Sequence, residues 1–436
     1  MHHDPGLPAS RRSKSLDFKV AGAAVNDWLT ERGMVLRERN FRRFFIGYAT
    51  SLLGTSMSVV AVAFAVLDSG GTEADLGYVF AAGIVPQVIF MLGGGVIADR
   101  FGRRRVMLTA DAARCCAQAA FAAVVFLGPP RIWVFVMLAV IRGSGDAFFG
   151  PALSGLTVEI ASPEQRGNAN ALLGVAGSTA RVAGPAIAGI VIVAAGPAMV
   201  IALDAASYGA SVVALSLLCL RAAPHRPAGS LLADLAEGWA EFRTRSWLVI
   251  TTVQFTLFNL FAWGPFLVLG PVLAQEYLGG AGAWAAVMTA FGGGSLVGGL
   301  LALGRRPRRP MVAATVATIG YAVPCALLAL HAPVAGVAAG ALVAGVGGAL
   351  GGAFAATATQ QHVPAAALSR VSAFQTVTAF ALGPVAFAAA GPVAAAAGVG
   401  ALLGFGAAWS AASSAVVLAC PAIWAVTSRV PKDRFP

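Results

Sequence analysis

The chain has 436 residues, 58% of them hydrophobic and 11% charged, with 30 basic against 19 acidic residues and a formal charge of +11. This balance excludes a soluble globular domain, a disordered chain and a collagen-like one. The stretch 310–369 holds no Asp, Glu, Lys or Arg and is far longer than the roughly 20 apolar residues a bilayer-spanning helix needs, so the chain reads as a membrane protein.

Residues 1–43 form a polar, mixed tail with no apolar core of signal-peptide type, so the span that follows is expected to be retained as an anchor. Residues 1–33 are expected to be dispensable for insertion. Apolar runs predict twelve spans, near 44–67, 76–98, 106–128, 132–154, 168–194, 198–220, 247–273, 282–304, 311–331, 334–356, 371–390 and 397–424. With the tail inside, 26 of the 30 basic residues fall in segments on the inner face. Arg131 alone lies in an outer loop, and Arg114, Arg142 and Arg181 lie within spans. The positive-inside rule then places both termini in the cytoplasm, and the basic residues answer to lipid rather than to nucleic acid.

The organisation expected is a tail (1–43), a six-helix bundle (44–220), an inner linker (221–246), a second six-helix bundle (247–425) and a short tail (426–436), as in a repeat-built transporter. In the linker, Leu231, Leu235, Trp239 and Phe242 recur at helical spacing among Asp234, Glu237 and Glu241, the pattern of an amphipathic helix on the inner surface. Glycines inside spans, such as Gly292–Gly294, Gly298, Gly336, Gly340, Gly347 and Gly351, allow helices to approach closely. Pro86, Pro185, Pro265, Pro271, Pro324 and Pro384 interrupt spans and free backbone carbonyls. The five cysteines all lie in apolar stretches and read as packing residues, neither bridges nor metal ligands.

After the second span comes GGGVIADRFGRRR, with Gly95, Asp99, Arg100, Gly102, Arg103 and Arg104 at the spacing Gly-xxx-Asp-Arg-x-Gly-Arg-Arg. This resembles motif A of the major facilitator superfamily. Gly95 permits close helix contact, Asp99 ends a helix where it can accept from backbone N–H groups, and Gly102 permits a tight turn. The arginines are expected at anionic headgroups or paired with inner carboxylates such as Glu159, the whole acting as a conformational latch.

The resemblance covers almost the whole chain and points to the macrolide-efflux and enterobactin-exporter branch of that superfamily. The segment 142–166 is similar to that branch's fourth span and following loop. Arg142 matches the arginine of motif B, which the resemblance implicates in proton transfer. GSTARVAGPAIAG resembles the antiporter motif C, with Gly177, Gly184, Pro185 and Gly189 in place and Ala180 and Ala188 standing where glycine is common. That motif implies a tightly packed seal and favours export. One departure concerns coupling: after Ser51-Leu52-Leu53-Gly54 the branch commonly has an acid, and here stands Thr55.

Six ionisable residues lie within spans: Asp111, Arg114, Arg142, Asp146, Arg181 and Asp204, each costing about 2.5–3.5 kcal/mol at mid-bilayer on insertion scales and so a functional candidate. Arg142 and Asp146, four apart, share a helix face and are expected to pair, as are Asp111 and Arg114. Asp146 is expected to exchange its partner between Arg142, a proton and substrate, or else to form a permanent structural pair. Arg181 is expected to neutralise Asp146 or, as the alternative, to bind substrate anions, and Asp204 to lie near the outer end in contact with water. All six stand in the first half, which is therefore expected to handle protons. The second half is expected to supply apolar and aromatic contacts, among them Phe255, Phe258, Phe261, Trp263 and Phe266.

The lysines are Lys14, Lys19 and Lys432 and none follows glycine, so no phosphate-cradling loop of the ATPase type exists. No His-Glu-x-x-His occurs either, which argues against an intramembrane hydrolase. The expectation is an all-α membrane protein, with twelve transmembrane helices in two six-helix pseudo-repeats and the major facilitator fold. It is not an enzyme, uses no cofactor or metal, and sits as a monomer in the cell membrane, with the alanine-, glycine- and arginine-rich composition of a GC-rich bacterial genome. By the resemblance it exports amphipathic drugs or a natural product in exchange for protons, conferring multidrug resistance. A proton symporter importing a nutrient and a transport-dead receptor or scaffold of the same fold are the competing readings.

Overall fold

A computed structural model describes residues 34–90, 94–219 and 238–428, without the side chains at 94–96, 99, 365, 366 and 369. Among the described residues, twelve helices are long and apolar enough to cross a membrane. They are α1 (Arg39–Asp68), α2 (Glu73–Phe90), α3 (Arg103–Leu127), α4 (Ile132–Ile160), α5 (Arg166–Ala195), α6 (Pro197–Ser216), α7 (Ser246–Leu278), α8 (Ala281–Ala302), α9 (Pro310–Ala329), α10 (Val334–His362), α11 (Arg370–Ala397) and α12 (Val399–Ala419). Each overlaps a span expected from the apolar runs, with ends that differ most for α2, described to Phe90 against the expected 98, for α4 and α10, which run on to Ile160 and His362 beyond the expected 154 and 356, and for α11, which runs on to Ala397 beyond the expected 390.

The packing repeats after six helices. In the first half α1 packs on α5 and α6, α3 on α4 and α6, and α2 on α4. In the second half α7 packs on α11 and α12, α9 on α10 and α12, and α8 on α10. Two equivalent contacts, α2 with α11 and α5 with α8, join the halves. Glycine makes the closest approaches possible. Gly294 and Gly298 of α8 lie against the backbone of Leu342 and Val346 of α10, where any side chain would collide.

Prolines leave their mark where a missing N–H frees a carbonyl. α7 widens into π-helical turns at Asn259–Trp263 and Ala274–Leu278, on either side of Pro265 and Pro271. α9 tightens to a 3-10 turn at Ile319–Tyr321, just before Pro324.

The two ends of the molecule differ. At the end of the α1–α2 turn a single buried core draws on both halves, with Val66, Leu76 and Ile192 from the first and Leu269, Trp284 and Phe387 from the second. At the opposite end, toward Met34 and Ser428, two separate cores form. One holds Phe44, Met107 and Leu156, the other Trp247, Met311 and Val363. The halves are thus joined at one end and parted at the other.

Of the expected linker helix, Leu231, Leu235, Asp234 and Glu237 lie outside the described residues. Trp239 and Phe242 stack on each other at 5.9 Å and meet the tilted ring of Phe374 of α11 at 5.0 and 4.9 Å, so this end of the linker packs on the second half.

Candidate functional site

Four helices of the first half, α1, α3, α4 and α6, bring polar side chains to one buried place. On α3, Asp111, Arg114 and Gln118 recur at helical spacing, as do Asp204, Tyr208 and Ser211 on α6. Arg114 is 4% exposed and contacts two carboxylates: Asp111 on its own helix, and Asp146 of α4 at 2.8 Å. Its guanidinium lies over the rings of Phe149 (4.2 Å) and Tyr208 (4.6 Å), which cover a cation without needing a charge. The second oxygen of Asp111 accepts from Ser211 at 2.6 Å.

Asp204 is fully buried and accepts from Gln118, which also donates to Ser58 at 2.7 Å. Arg142 faces the Asp146 carboxylate at 3.7 Å, and its charge also acts on Asp204 and Tyr208. Tyr208 completes the ring of contacts at 2.8 Å from the hydroxyl of Thr55. Gly54 makes room for this arrangement, since a Cβ there would sit 2.7 Å from the Asp204 carboxylate and collide with Ser207. Three carboxylates face two guanidinium groups, so with all five ionised the cluster carries one net negative charge, and one proton would balance it.

The expected pairs are rearranged. Arg114 pairs with Asp111 as expected. Asp146 does face Arg142, but at 3.7 Å, and its closer partner is Arg114 on the neighbouring helix. Arg181 does not neutralise Asp146: its side chain is exposed and donates to Ser178 at 3.1 Å. Asp204 is not in contact with water; it is walled in by α1 and α3. Gln118, Tyr208, Ser211 and Thr55 were not expected here. The readable signal was the polar stripes 111-114-118 and 204-208-211 on otherwise apolar helices, which mark a buried face.

At the parted end, Arg103 donates to the Gly155 carbonyl and to Glu159, both at 3.0 Å, tying the start of α3 to the end of α4. The expected pairing with Glu159 is therefore present. Arg104 instead donates to the last carbonyls of α6, Leu215 at 2.8 Å and Ser216 at 2.5 Å. Arg43 reaches the Leu217 carbonyl at 2.6 Å, so with Arg104 it sets cations at the negative end of the α6 dipole, and the neutral amide of Asn40 donates to Cys219 just beyond at 2.9 Å. Gly95 and Asp99 lie in the short helix Gly94–Phe101, but the side chain of Asp99 lies outside the described residues. Arg100 is exposed at the end of that helix, against Phe101 at 5.8 Å. Gly102 takes a φ of +89°, the conformation expected of a tight turn.

On α5, Gly184 lies against Ser56 of α1, where a Cβ would approach to 2.5 Å, and Gly189 lies against Ala285 of α8 at the same distance. Pro185 is buried between them, while Gly177 makes only ordinary contacts. Of the expected aromatic residues, Phe255 and Phe258 line a cavity of about 350 Å³ in the second half. The others do not: Phe261 packs on Phe405 and Trp409, and Trp263 and Phe266 stack together at 5.4 Å in the packed interior.

The chain matches the family described as the Major Facilitator Superfamily over residues 44–388. It is 26% identical over 267 residues to macrolide efflux protein A of Streptococcus pyogenes, a match covering 60% of this chain and 65% of that protein, so it spans just under two thirds of that relative's length. It is 30% identical over 307 residues to the multidrug efflux pump Tap of Mycobacterium tuberculosis (strain ATCC 25618 / H37Rv), covering 64% of this chain and 70% of that one. Among solved structures, the nucleoside transporter NupG superposes with a TM-score of 0.68 at 13% identity, over 87% of this chain and 98% of that chain. The D-xylose-proton symporter does so with 0.61 at 14%, over 91% and 97%. At such identities these likenesses show the fold alone.

Proposed function

Since the chain belongs to the major facilitator superfamily, we propose that it is a secondary active transporter that exports amphipathic drugs or a natural product in exchange for protons. The observation that carries this reading is the buried cluster of Asp111, Asp146 and Asp204 with Arg114 and Arg142, one carboxylate in excess of its cations. A lone buried charge is costly unless a proton or a cation meets it, so such a cluster is suited to taking up and releasing one proton as its helices move. The efflux activity named for the macrolide and Tap relatives, together with the close α5 contacts at Gly184 and Gly189, favours export over import.

In this reading Asp146 is the group that changes partners, because it is held from two helices: by Arg114 of α3, and by Arg142 of its own α4. The bonds of Arg103 to Gly155 and Glu159 act as a latch within the first half, holding the start of α3 to the end of α4 at the parted end in this state and loosening when those two helices shift in the transport cycle. The basic residues near Met34, in 100–105 and in 305–309 favour a cytoplasmic setting for that end, and in this reading the protein is open inward with both termini cytoplasmic. It works as a monomer in a bacterial cell membrane.

The experiment is made on inside-out vesicles holding an acid-inside pH gradient, to which cationic, neutral and anionic drugs are added while a pH-sensitive dye is followed. Proton release caused by a drug, and absent in Asp146→Asn, is the expected result. Drug flux that ignores the gradient, or full coupling in the variant, would sink the reading.

A further inference from the structure

The cavity in the second half lies between α7, α9, α10 and α12, with Gln375 and Ala379 of α11 at its edge. These four helices are the six-helix repeats of α1, α3, α4 and α6, which hold the charge cluster in the first half. The correspondence extends to single positions. Helices α4 and α10 are both 29 residues long, and counted from their first residues Gly348 falls where Asp146 does. Counted the same way along α3 and α9, Tyr321 falls where Arg114 does and Thr318 where Asp111 does. Where the first half has Asp146, the Tyr321 hydroxyl lies against Gly348, and the further glycines of α10 leave open space beside it. At Gly352, which lines that space, an added Cβ would meet nothing within 4 Å.

The walls state what would fit. Phe255, Phe258 and Tyr321 supply aromatic faces, with Phe258 and Tyr321 at 4.7 Å. Gln254 is held by Ser414 at 3.1 Å, while the Gln375 amide and the Tyr321 hydroxyl make no hydrogen bond among the described residues. None of the lining residues is charged. A cation entering here would meet ring faces and neutral oxygens but no carboxylate to offset the hydration it loses, whereas an uncharged aromatic molecule gives up less hydration and would find ring contacts and unused donors and acceptors. A volume of about 350 Å³ lies at the small end of ligand pockets, roughly 300–1,000 Å³.

We infer that the second bundle holds, in the place its repeat fills with ions, a binding site for an uncharged aromatic molecule bearing hydroxyl or amide groups. Its identity as the transported compound rests on the export reading; the site itself does not.

The test measures binding of radiolabelled chloramphenicol, a neutral aromatic amide with two hydroxyls, to the purified full chain in detergent. Gly352→Leu fills the cavity, and Gly299→Leu is the control, since Gly299 also has open space around it but does not line the cavity. Binding weakened at least tenfold in Gly352→Leu and unchanged in Gly299→Leu, with no displacement by an equal concentration of tetraphenylphosphonium, is the expected result. Equal binding in the two variants, displacement by the cation, or no binding by the unaltered chain overturns the proposal. Binding that meets the expectation in a protein whose vesicles transport nothing would sink the export reading and leave the site standing.

Discussion

The hydroxyls of Thr55 and Tyr208 lie 2.8 Å apart, joining α1 to α6 by a neutral pair where the related branch commonly carries an acid in its first span. The acids of this chain stand instead on α3, α4 and α6, and Tyr208 links Thr55 to them by lying beneath Arg114. Because Tyr208 is fully buried, Thr55→Val should cost about 1–2 kcal/mol by leaving the Tyr208 hydroxyl without this partner, and Tyr208→Phe should cost less, since the part-buried Thr55 hydroxyl keeps its bond to the Ser51 carbonyl at 2.9 Å. Thermal melting of the two single variants and the double should show less than additive loss. Strict additivity would mean the bond contributes nothing.

Arg114 pairs with Asp111 and Asp146 together, so its removal leaves Asp111 with Ser211 alone and Asp146 with Arg142 alone at 3.7 Å. Arg114→Met should destabilise the protein by about 3–5 kcal/mol, as breaking a buried pair from one side does. Adding Asp111→Asn should recover a large part of that loss. A double variant as unstable as the single would show that the packing of Arg114 on Phe149 and Tyr208, not its charge, is what matters.

Asp146→Asn separates proton coupling from substrate movement. Uptake into inside-out vesicles driven by a pH gradient should fall at least about tenfold, equal to about 1.4 kcal/mol. Counterflow of labelled drug against unlabelled drug, which needs no net proton movement, should persist. Loss of both would point to a structural pair.

Gly77 of α2 lies on the Phe387 carbonyl of α11, and Gly189 of α5 on Ala285 of α8, both where the halves are joined. Gly77→Val and Gly189→Leu should force that end apart and favour the opposite state. A cysteine placed at Ala74 should then react faster with a polar maleimide. Unchanged labelling, with the protein still folded, would mean that the closed end does not depend on these contacts.

Arg103 and Glu159, 3.0 Å apart, are each about a quarter exposed, so their attraction is worth at most about 1 kcal/mol. Glu159→Gln should therefore leave the melting temperature nearly unchanged while raising the rate of drug counterflow, if the pair is a latch. Unaltered counterflow would assign Arg103 to helix capping alone.

The twelve spans, the repeat in two halves and the pairing of Arg103 with Glu159 could be read along the chain, while the bonds of Arg104 to the last carbonyls of α6 could not. Partition into a bilayer depends on the summed transfer cost of about 20 consecutive residues, a local quantity that neighbouring helices scarcely alter. The pairing of Asp111 with Arg114 was legible for the same reason, since three residues on one helix always share a face.

The partners of Asp146, the burial of Asp204 and the exposure of Arg181 were not legible. Each depends on which side of its helix meets which neighbour, and hydropathy averaged over a span carries no rotation. The helices here have faces nearly as apolar toward lipid as toward protein, so close packing at glycines such as Gly54 and Gly184 sets the rotations. Whether a place in the bundle holds ions or open space follows from those rotations. Composition decided that the chain crosses a membrane twelve times, and packing decided where its charges meet.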